Sequence, residues 1–167
     1  MRRVTAGRVS SDTILIGSVA LILHLLSAVI WVGGMFFALL VLRPASGPLD
    51  PAARLGLWLR VLDRFFAWVF AAIALLLLSG FTLIFSVFGG FAGMRLYINL
   101  MMAIGIVMML IFLHLFFAPW RRFRTAMATG DNAAAAAQLN QIRIIVTVNL
   151  ILGLVTAAIG VSGRYWS

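Results

Sequence analysis

The sequence predicts an all-α protein, a four-helix bundle that spans a membrane. Three observations predict this fold: the composition, four long apolar runs, and arginines at the ends of those runs. Of the 167 residues, 64% are hydrophobic and 10% are charged, and the mean hydropathy is +1.14. Soluble domains are about 45–50% apolar and about 25% charged. The chain therefore has too little polar surface to be a soluble monomer.

The four apolar runs cover residues 14–42, 65–88, 96–118 and 144–161. A hydrocarbon core of about 30 Å needs about 20 helical residues, and each run reaches or nearly reaches that length. Backbone groups in lipid must satisfy their own hydrogen bonds, so each run is expected to be a helix. We therefore predict one integral membrane domain covering residues 1–167.

The connections 43–64 and 119–143 carry most of the basic residues. The first is expected to contain a short amphipathic segment at 52–63, and the second a helical extension at the alanine run 133–137. Eight arginines belong to this side of the bundle: Arg43, Arg54, Arg60, Arg64, Arg121, Arg122, Arg124 and Arg143. The opposite side has five, so the positive-inside rule predicts that both termini lie outside the cytoplasm. The net charge of +9 thus indicates membrane orientation and no nucleic-acid partner.

The ionisable residues exclude several classes of chemistry. All thirteen basic residues are arginines, and the sequence has no lysine, glutamate or cysteine. Schiff-base lysines, P-loop phosphate binding, thiol nucleophiles, disulfides and thiolate metal sites are therefore excluded. No carboxylate falls in the middle of an apolar run, and the serines lack an evident base. These absences favour a binding protein over an enzyme.

Small and weakly polar residues predict which helix faces pack together, because such residues collect at helix contacts in membranes. The last helix has such a stripe at Asn149, Gly153, Thr156, Gly160 and Gly163, and the second has one at Ala72, Ser79, Thr82, Ser86 and Gly89. The first has His24, Ser27, Trp31 and Gly34 on one side, with Ile22, Leu26, Val29 and Phe36 opposite. This pattern directs His24 toward the bundle interior.

His24 and His114 are the two histidines, and both lie within apolar runs. Ionisable residues at such depth are candidates for function, although a neutral hydrogen-bonded histidine is the simpler alternative. Counted from Arg43 and Pro119, the histidines lie about 28 Å and about 8 Å from one membrane boundary. A separation of roughly 20 Å is too large for two axial ligands of one haem.

The same depth arithmetic predicts two polar levels in the bundle. Asn99 lies at the level of His24, and Asn149 lies near the level of His114. Methionines on the third helix, among them Met102, are also candidate ligands, since thioethers suit Cu(I). Methionine more often fills gaps in apolar interiors. The residues alone therefore leave three readings of the His24 level open: a metal, a haem with one protein ligand, or a hydrogen bond.

Several segments resemble the bacterial copper-resistance protein D (CopD) family. They are residues 24–36 (HLLSAVIWVGGMF), the following Leu42-Arg43-Pro44, residues 114–119 (HLFFAP), and the closing Gly163-Arg164-Tyr165-Trp166. The likeness covers nearly the whole chain and is strongest to short stand-alone members. It implies a multi-pass protein of the bacterial inner membrane with a copper-related role, and in that membrane the termini predicted by the positive-inside rule are periplasmic. His24 best matches a functional histidine of the family.

We therefore expect a protein that transports copper or passes the ion between partners, such as a periplasmic copper carrier. His24 is the expected ligand, with Asn99 and Met102 near it and Trp31 as a wall of the site. His114 is a further candidate metal ligand. The alternative is a b-type haem protein in electron transfer, with His24 as axial ligand, and a third possibility is a structural subunit without a ligand.

Overall fold

The computed structural model describes residues 11–166, and this range contains four long helices and no β-strand. The helices are α1 (Ser11–Ala45), α2 (Pro51–Ser86), α3 (Leu96–Ala128) and α4 (Asn132–Tyr165). Each is long and apolar enough to cross a membrane. The all-α, four-span fold that the sequence predicts is therefore confirmed.

Three helices extend beyond their predicted bounds. The amphipathic segment 52–63 is not separate but forms the first turns of α2, while α3 continues to Ala128 and α4 begins at Asn132. The side chain of Asp50 accepts hydrogen bonds from the backbone N–H groups of Ala52 and Ala53, which caps α2. Asp131 caps α4 in the same way. The apolar runs underestimate these helices because a capped amphipathic helix continues past the edge of the lipid.

Prolines in α1 and α3 are accommodated by wider turns. Residues Ala38–Leu42 of α1, just before Pro44, and Phe116–Trp120 of α3, which include Pro119, are π-helical. Proline lacks an N–H group and its ring collides with the carbonyl four residues earlier. A π-turn provides the extra room, so both helices continue without a break.

The bundle has two unequal halves. The turn half contains the connections 46–50 and 129–131, and the terminal half contains residues 11 and 166. Most of the buried apolar cluster lies in the turn half, where the ring of Phe66 meets the rings of Phe112 and Trp120 at centroid distances of 5.6 and 5.1 Å. In the terminal half, residues 96–107 of α3 include no buried side chain. In the terminal half, α3 therefore contributes no side chain to the buried core.

Neighbouring helices meet on the predicted small-residue faces. α1 packs mainly along α2, and α3 mainly along α4. A Cβ atom added at Gly160 of α4 would lie 2.9 Å from Met101 Cε, and one at Gly163 would lie 2.3 Å from Tyr97 Cγ. The residues of α1 predicted to face lipid are exposed: Ile22, Leu26, Val29 and Phe36. Both predictions of helix orientation are confirmed.

The contact between α1 and α2 predicts unequal effects of substituting two adjacent glycines. A Cβ at Gly34 would lie 2.3 Å from Phe65 Cε2, whereas nothing lies within 4 Å of a Cβ at Gly33. Gly34→Leu is expected to lower the free energy of unfolding by about 1–3 kcal/mol, the usual cost of overpacking. Gly33→Leu is the matched control and is expected to leave it unchanged or higher. Thermal unfolding in detergent measures both, and equal losses would contradict this packing.

Candidate functional site

The His24 imidazole lies at the interface of α1 and α2 in the terminal half. The ring is half-buried, and its Nδ1 is 3.0 Å from the Ser79 Oγ. Gly80 borders the same ring, since a Cβ there would lie 3.4 Å from His24 Cε1. A larger residue at position 80 would press on the imidazole. The His24 side chain thus points toward α2, where it contacts Ser79 and Gly80, as the sequence predicts.

The partners of Ser79 determine which ring nitrogen of His24 carries the proton. The Ser79 hydroxyl donates to the carbonyl of Leu75 in its own helix. A hydroxyl has one hydrogen, so its oxygen is left to accept a hydrogen bond from His24 Nδ1–H. The neutral imidazole then has an unprotonated Nε2. In this tautomer, the lone pair of Nε2 is the one that can bind a metal ion.

Trp31 lies on the same side of α1 as His24, about 10 Å further along the helix. Its side chain is buried, and its ring packs edge-on against Phe112 of α3 at a centroid distance of 6.2 Å. Trp31 therefore belongs to the packed core of the turn half. This core begins about two helical turns from His24.

Asn99 and Met102, the residues expected beside His24, lie on α3. The amide of exposed Asn99 donates to the carbonyls of Met94 and Arg95, at 3.4 and 3.2 Å, just before its own helix. Met102 is half-buried on a helix whose main partner is α4. Asn99 therefore bonds to the backbone near its own helix, whereas His24 bonds to Ser79 of α2.

The predicted polar level that would bring His114 and Asn149 together is not present in the bundle. Asn149 is buried, and its amide donates to the carbonyl of Met108 at 3.2 Å, six residues from His114. The buried side of α3 follows Met108, Phe112 and Leu115, and His114 falls off this stripe and is exposed. His114 does not meet Asn149 because its side chain lies off the face of α3 that packs against α4.

The described residues contain no group of three or more histidine, cysteine, aspartate or glutamate side chains that could hold a metal ion. An ion at His24 would therefore take one imidazole nitrogen and complete its shell with thioethers or with donors outside this range. Cu(I) is soft and accepts such ligands, whereas hard cations require several oxygens. The donor set fits a copper ion carried as cargo better than a resident, fully chelated metal.

The hydrogen bond to Ser79 predicts a change of tautomer that magnetic resonance can detect. With labelled histidine, the ¹⁵N shifts of neutral His24 are expected to show a proton on Nδ1. In Ser79→Ala, the population is expected to move toward the Nε2–H form, which free imidazole side chains favour. Ser27→Ala is the control, because the buried Ser27 hydroxyl donates to Leu23 of its own helix. Unchanged shifts in Ser79→Ala would refute the assigned donor.

Comparison with known proteins adds one result to this geometry. No curated protein and no solved structure matches the chain. Residues 59–162 match the sequence model of a family described as copper resistance protein D. This match covers more than half of the chain, from the third turn of α2 to near the end of α4. The protein belongs to the CopD family of copper-resistance-related membrane proteins.

Proposed function

We propose that this protein binds copper as cargo at His24 Nε2 and moves the ion across the membrane or between partner proteins. Family membership supports a copper-related role. The observation that carries the proposal is the His24–Ser79 hydrogen bond, which engages Nδ1 in the terminal half of the bundle and makes Nε2 the proposed metal ligand.

A single fixed imidazole suits passage of an ion better than its storage. Passage requires a site that attracts the ion yet lets it leave. Carboxylate and thiolate ligands would hold copper more tightly, and no cluster of them lies among the described residues. Met102 and its neighbour Met101, in the same half of the bundle, are the proposed source of thioether ligands. The ion would then pass from the His24 imidazole to the thioethers of α3, and both kinds of ligand are uncharged.

The direction of approach follows from the arginine distribution. Among the described residues, eight arginines lie toward the turn half, and Arg95 and Arg164 lie at the terminal end. The positive-inside rule then places the terminal half toward the periplasm of the inner membrane. In that orientation, a periplasmic copper carrier would reach His24 from its own side. His114 is exposed toward the opposite face, so it takes no part in the proposed site at His24.

Copper affinity tests the proposal with a matched pair of histidine variants. In competition with a chromogenic Cu(I) chelator, His24→Ala is expected to weaken copper binding by more than about 10- to 100-fold, which is the loss that removing only a hydrogen-bonding partner of a metal ligand causes. His114→Ala removes an exposed imidazole of the same type and is expected to leave this affinity unchanged. Equal affinity in wild type and His24→Ala would contradict the proposal. A Soret band that vanishes in His24→Ala would instead identify haem b as the ligand.

Thiol labelling tests the proposed orientation, because the chain has no cysteine of its own. Ser86→Cys places a thiol at the terminal end of α2, and Thr129→Cys places one in the turn between α3 and α4; both positions are exposed. In spheroplasts, an impermeant maleimide is expected to label Ser86→Cys at once and Thr129→Cys only after the membrane is opened. The reverse order would show that the termini are cytoplasmic.

A further inference from the structure

Three arginines from three helices converge in the turn half. Arg43 lies near the end of α1, Arg54 in the first turn of α2, and Arg143 within α4. Arg143 is half-buried, and its Cζ lies 5.6 Å from the centroid of the Trp58 ring. Arg54 lies one helical turn before Trp58 on the same face of α2, and Arg43 lies beside the short connection from α1 to α2. The fold thus holds like charges together at one place.

The described part of the chain offers these arginines no negative partner. None of the three makes an ion pair with a carboxylate there. Asp50, the acid nearest to Arg54 in the chain, is used to cap α2. Two donors at the same place, Trp58 Nε1 and Arg143 Nε, are buried without a hydrogen-bond acceptor. Buried donors and grouped charges are costly when uncompensated, so a bound anion would stabilise the cluster.

The depth of the cluster indicates where that anion comes from. Arg143 immediately precedes the apolar run 144–161 and lies about 16 Å from the start of α4. It is therefore at the boundary between hydrocarbon and head groups, where phospholipid phosphates lie. Arg43 is exposed and Arg54 half-exposed, so the cluster opens toward that boundary. Guanidinium groups match phosphate oxygens in charge and in fork geometry.

We propose that Arg43, Arg54 and Arg143 together bind the phosphate of an anionic phospholipid at the junction of α1, α2 and α4. Basic pockets between transmembrane helices are a known way to hold such head groups. The Trp58 ring supports the Arg143 guanidinium from one side and limits its rotation, so the arginine is presented in one orientation. The bound lipid neutralises the repulsion among the three arginines and joins the ends of three helices.

Retention of phosphatidylglycerol tests the proposal. The full-length protein is reconstituted in phosphatidylcholine with one-fifth phosphatidylglycerol, extracted in mild detergent, and its bound lipids are counted by native mass spectrometry. Wild type is expected to retain phosphatidylglycerol selectively, and Arg143→Gln to retain about fivefold less. Arg122→Gln makes the same charge change at an exposed position of α3 and is expected to match wild type. Equal retention in the two variants would overturn the proposal.

Two further arms keep the result specific. Arg54→Gln, at the helix start and only half-buried, is expected to reduce retention like Arg143→Gln while leaving the thermal unfolding temperature in detergent close to that of wild type. Retention at the wild-type level in this variant would count against a shared site. Inorganic phosphate at millimolar concentration is expected to displace no lipid. Displacement at that concentration would show that the cluster binds soluble phosphate, and it would overturn the proposed lipid site.

Discussion

The hydrogen bond between His24 and Ser79 is the interaction on which the functional account depends. An imidazole in the apolar part of a bundle needs a partner, because an unsatisfied polar group in lipid is costly. Ser79 supplies that partner, and its own bond to Leu75 decides the direction of the proton. The result is a ring whose position, rotation and tautomer are set by α2 while its second nitrogen stays free.

The unequal packing of the two halves gives this interaction its setting. In the turn half, the rings of Phe66, Phe112 and Trp120 interlock and the helices are held firmly. In the terminal half, small residues bring α3 and α4 close at Gly160 and Gly163, whereas α3 buries no side chain between residues 96 and 107. The aromatic core of the turn half thus packs beneath the imidazole, where it joins α2 and α3.

The sequence predicts the number of helices, the lipid face of α1 and the inward direction of His24, because apolar length and small-residue spacing are properties of single helices. It does not predict which residue faces which across an interface. Ser79 stands on the predicted inner stripe of α2, yet only the structure pairs it with His24. The pairing of Asn149 with Met108, in place of His114, depends on the register of α3 against α4. Asp50 and Asp131 cap α2 and α4, so these helices begin before their apolar runs.

X-ray absorption at the copper K-edge tests the central claim most directly, since it detects an imidazole bound to the metal. The account predicts the multiple-scattering pattern of one histidine in copper-loaded wild type and in His114→Ala, and its loss in His24→Ala. Copper that keeps the imidazole pattern in His24→Ala, or shows none in wild type, would contradict the assignment of His24 Nε2 as the copper ligand.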